Sequence, residues 1–191
     1  MPDIYLGNSR LSTAGVEDFD AVSLTANFGG FMSGRAMASR HSRTEEVKRA
    51  GALANELDEV GIVPGNFYAL VVPKCRFEEQ QTKDWAAEVA RDLLAALAEI
   101  QAKTLWMTHF QHFGQSLTAI KHLVGILDVF SQAGSSDDYE PGLVLQKVLI
   151  GVPDRELMEG SRLRAAVAEA GWELEEETLF IMEKAYRLRF V

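Results

Sequence analysis

Short apolar runs rich in β-branched and aromatic residues alternate along the chain with longer stretches whose apolar residues return every three or four positions. That alternation constrains the fold most, because strands joined through helices pack as layers, with helices covering a sheet. Asp3 to Leu6, Phe19 to Thr25, Asn66 to Val72, Thr104 to Phe110 and Val144 to Val152 read as strands. Several are almost wholly apolar, as strands covered on both faces must be. Thr44 to Val60, Thr82 to Ala102, Ser116 to Ser131 and Arg155 to Ala170 read as helices. The first carries Val47, Ala50, Leu53, Ala54 and Leu57 on one face and is stopped by Gly61, and the last is closed by Gly171. Beyond Trp172, two strand pieces, Leu179 to Met182 and Tyr186 to Val191, are expected to complete the sheet edge. The patterns predict a three-layer α/β/α sandwich with a mixed, mainly parallel sheet, residues 1–191 forming a single domain.

Charge narrows the choice of partners. Nineteen Lys+Arg against 28 Asp+Glu give a formal charge of −9. Such a surface repels phosphate backbones and anionic bilayers, so neither general nucleic-acid binding nor membrane attachment is expected. Met1-Pro2-Asp3-Ile4-Tyr5 lacks the basic and apolar regions of an export signal, and the lone cysteine, Cys75, suits a reducing compartment. A cytoplasmic location is the expectation.

Two loops attract attention. The strand ending Leu24-Thr25-Ala26-Asn27 runs into Phe28-Gly29-Gly30-Phe31-Met32-Ser33-Gly34-Arg35. Glycines at a strand exit serve a tight turn, or let backbone N–H groups approach an anionic ligand closely. The strand from Thr104 leads into Gln111-His112-Phe113-Gly114-Gln115-Ser116 and then a helix, whose first turn offers N–H donors unless Gln115 or Ser116 simply caps it. If the two strands are parallel neighbours, both loops face one crevice at their carboxyl ends. His112 is the candidate general acid or base, because a loop there can point it at a ligand. His109 and His112 lack the acidic or thiolate companions of a metal site, so no metal and no cofactor is expected, and His122 is expected to be partly exposed on its helix. Cys75, flanked by Lys74 and Arg76, is a candidate thiolate nucleophile. The glycine signatures of α/β hydrolases, P-loop NTPases and dinucleotide-binding folds are missing.

The run Asp20-Ala21-Val22-Ser23-Leu24-Thr25-Ala26-Asn27, followed by Gly29, Gly30 and Gly34, resembles a macro domain, an ADP-ribose-binding α/β/α module. The family strand typically reads Asp-Ala-Ile-Val-Asn-Ala-Ala-Asn before a glycine-rich loop. The resemblance implies that Asn27, Gly29 and Gly30 lie along the distal ribose, with Gly34 in the same loop. It also implies that Phe113, Gly114, Gln115 and Ser116 cradle the diphosphate, and that Asn8 takes the adenine-side position where the family has Asp. This sequence keeps one glycine, Gly114, in its second loop and lacks the three adjacent glycines of active hydrolases in its first. Binding of ADP-ribose or a related nucleotide is the expected function. Hydrolysis of a ribosyl bond would use Asn27 to position ribose or water and His112 to carry the proton. Two alternatives stand beside it: an unrelated α/β enzyme using Cys75 or His112, and an acidic interaction or inhibitor module presenting the Ser135 to Glu140 loop without a small ligand.

Overall fold

The computed structural model describes residues 1–8, 19–25, 56–65, 67–73, 82–108, 116–133, 142–152, 161–179 and 183–190. Among them, one sheet contains β1 (Asp3–Asn8), β2 (Ala21–Thr25), β3 (Gly61–Val63), β4 (Tyr68–Val72), β5 (Thr104–Thr108), β6 (Lys147–Val152), β7 (Trp172–Leu179) and β8 (Glu183–Phe190). Its order is β3-β4-β2-β5-β6-β1-β8-β7. The inner run β4-β2-β5-β6-β1 is parallel throughout. Antiparallel strands flank it, β3 against β4 on one side and the β7–β8 hairpin against β1 on the other. The fold is α/β with a mixed sheet, as the alternation of elements predicts.

Side chains alternate between the two faces of a strand, and the inner strands bury both sets. Ile4, Leu6, Leu70, Val72, Leu105, Met107, Val148 and Ile150 join one apolar core with residues of three helices, α1 (Lys83–Glu99), α2 (Ser116–Gln132) and α3 (Ser161–Glu169). Tyr5, Val22, Ala69, Val71, Trp106 and Leu149 point the other way and are buried as well. The hairpin behaves differently. Trp172 and Leu188 are buried on the helix side, while Glu173, Glu175, Arg187 and Arg189 are exposed on the other. Arg189 bridges Glu173 at 3.0 Å and Glu175 at 3.4 Å, and Arg187 bridges Asp3 at 2.5 Å. Exposed pairs of this kind contribute little individually.

Helix α1 begins where Thr82 accepts a hydrogen bond from the Trp85 N–H at 3.1 Å, which satisfies one free donor of its first turn. Its Ala86, Val89, Ala90, Leu93, Leu94 and Leu97 form the buried stripe. Helix α2 meets α1 at Gly125, where backbone approaches backbone, and Lys83 of α1 pairs with Asp128 of α2 nearby. Helix α3 is followed by Gly171 at φ 82°, a left-handed stop that suits glycine. No helix among the described residues is long and apolar enough to cross a membrane.

Three expectations are corrected. Residues 56–60 form turns and bends, so the helix expected to reach Val60 does not extend that far, and Gly61 opens β3. The helical spacing ends in Leu57, and Gly61-Ile62-Val63, bounded by Pro64-Gly65, gains hydrogen bonds from β4. The first tail strand is Trp172–Leu179, not Leu179 to Met182, because cross-strand pairing and alternate burial override the poor strand propensity of its glutamates. His122, expected to be partly exposed, is 0% exposed and lies against the Trp85 ring, with centroids 5.2 Å apart.

Two outcomes test this packing. A methyl group at Gly125 would overlap the Lys83 carbonyl oxygen, which is backbone and cannot swing aside. Gly125→Ala should therefore destabilise the fold by about 1–3 kcal/mol in urea unfolding, although alanine favours an isolated helix over glycine by about 1 kcal/mol. A stabilised variant would contradict the close helix approach. Burial, followed by Glu59 and Glu88, raises the Asp92 carboxyl above the usual aspartate range, against a smaller opposing effect of Arg91. Ionising Asp92 thus costs the folded state more than the unfolded one, and stability falls as pH rises from the usual aspartate range through the raised value. Asp92→Asn should raise the melting temperature at pH 7, and the advantage should fade once the pH falls below the usual aspartate range.

Candidate functional site at the carboxyl rim of the parallel strands

Because the five inner strands run the same way, Asn8, Thr25, Val72, Thr108 and Val152 end along one rim of the sheet. Strands β2 and β5 are neighbours within it, Ala21 opposite Leu105 and Val22 opposite Trp106. Their exits diverge. The chain leaving β2 continues to β3 and β4 on one side, whereas the chain leaving β5 passes through α2 to β6 on the other. A divergence of this kind between parallel neighbours leaves a crevice outside their carboxyl ends, the usual ligand position in open α/β sheets.

The opposite rim holds the strands in register. The Asp20 N–H donates to Thr104 Oγ1 at 2.8 Å, and the Asp20 carboxylate accepts from the N–H groups of Lys103 and Thr104 at 2.8 and 3.0 Å. The Asp20 carbonyl accepts from the Tyr68 N–H at 2.9 Å. One residue therefore ties the starts of β2, β4 and β5 together and sets where β2 and β5 end relative to each other. Sequence reasoning gave Asp20 no such task; its visible signal is an acid directly before an apolar strand.

Charge divides between the two rims. Asp3, Asp20, Lys103 and Lys147 lie at the amino rim, where Asp3 pairs with Arg187 and the Lys147 ammonium lies 5.4 Å from the Tyr5 ring centre. The five residues that end the parallel strands at the carboxyl rim carry no formal charge.

Of the expected site residues, Asn8 is the last residue of β1, opposite Val152, and Ser116 is the first residue of α2, in the connection that leaves β5. Asn27, Gly29, Gly30, Gly34, His112, Phe113, Gly114 and Gln115 lie outside the described residues, as do His109 and Cys75. Asn8 thus ends its strand at the same rim as the ends of β2 and β5. The structure also shows two groups that sequence reasoning did not single out. Ser23 and Trp106, each 1% exposed, bury Oγ and Nε1 without a hydrogen-bond partner. The only hint in the sequence is a polar atom in an otherwise apolar strand. Among the described residues, no three potential metal ligands stand together.

No family model matches the chain, and no curated protein does. Solved structures do. The macrodomain of Thermus aquaticus DarG is 14% identical with a TM-score of 0.53, over 78% of this chain and 98% of that one. The chain has a macrodomain-like fold. A mutant tomato leucine aminopeptidase is 10% identical with a TM-score of 0.56, over 89% of this chain but only 35% of the aminopeptidase. At such identities the macrodomain likeness is one of architecture.

The Asp20 contacts predict a specific loss. Asp20→Ala removes the acceptor of two backbone N–H groups and should cost on the order of 1–2 kcal/mol in urea unfolding, solvent exposure of the site reducing the effect. Asp20→Asn, which keeps one acceptor oxygen, should cost less. Equal stability of Asp20→Ala and the parent would show that the contacts do not hold the register.

Proposed function

We propose that the chain binds ADP-ribose or a related nucleotide in the crevice above the ends of β2 and β5. The observation that carries this function is the adjacency of those two parallel strands with diverging exits, since both glycine-bearing loops leave from them. The uncharged ends of the strands fit a ligand held by amide donors, which avoid the desolvation cost of buried cations. The macrodomain-like fold and the run Asp20 to Asn27 add support. In this assignment Asn27, Gly29, Gly30 and Gly34 line the distal ribose, Phe113, Gly114, Gln115 and Ser116 hold the diphosphate, and Asn8 lies toward the base. If a ribosyl bond is hydrolysed, Asn27 positions the ribose or the attacking water and His112 carries the proton.

A thermal-shift series with ADP-ribose, NAD, ADP and a cyclic nucleotide tests the function. A ligand bound only by the native state at a hundredfold excess over its dissociation constant adds about 2.7 kcal/mol, roughly 5–10 °C for a chain of this size. ADP-ribose should give such a rise and Asn27→Ala should reduce it. No rise with any nucleotide would rule the function out, and an undiminished rise in Asn27→Ala would remove Asn27 from the ribose site.

A further inference from the structure

We draw no further inference here: the strongest candidate, the outer edge of β7 at the end of the sheet, with Glu173 and Glu175 exposed beside it, is an acidic margin whose carboxylates already pair with Arg189, and nothing among the described residues shows what would cover it.

Discussion

Burial of the inner strands on both faces is the constraint on which the rest of the structure depends. Strands β4, β2, β5, β6 and β1 give one set of side chains to the helix-side core and the other set to a second buried layer. Chemistry that needs contact with solvent is thereby displaced from the sheet surface to its two rims. The amino rim carries charges that serve structural contacts, above all Asp20 on the backbone of Lys103 and Thr104. The carboxyl rim is left with uncharged strand ends and with the connections that leave them. A division of this kind lets one rim be rigid while the other varies in sequence, as binding loops on a fixed scaffold do.

Much of this architecture was legible in the residues. The inner strands are short apolar runs, and α1 and α2 show apolar stripes at helical spacing, so burial and periodicity point the same way. The misreadings came where they diverge. Strand β3 has three residues and exists because β4 lies beside it, while the helical spacing before it continues to Leu57. Strand β7 is rich in glutamate, and its inward Trp172 is matched by outward acids only because one side of the hairpin is wet. His122 looks like a surface residue beside Lys121, yet the Trp85 ring covers it. Each of these depends on a partner distant in sequence.

The site divides in the same way. That two glycine-bearing segments follow strands can be read locally, but that those strands are neighbours cannot, because the Asp20 and Thr104 contact joins residues 84 positions apart. The structure places β2 beside β5 and sends their continuations apart.

The hairpin that finishes the sheet has a consequence for how these molecules tolerate crowding. A terminal strand exposes hydrogen-bonding groups that another chain can extend into a continuous ribbon. Among the described strands β3 ends the sheet on one side and β7 on the other, with Glu173 and Glu175 exposed on the wet side of β7. A second molecule laying its own β7 alongside would set carboxylates against carboxylates, with an overall charge of −9 on each chain adding to the repulsion. The glutamates that make β7 a poor strand by propensity thus act as a guard against edge-to-edge aggregation.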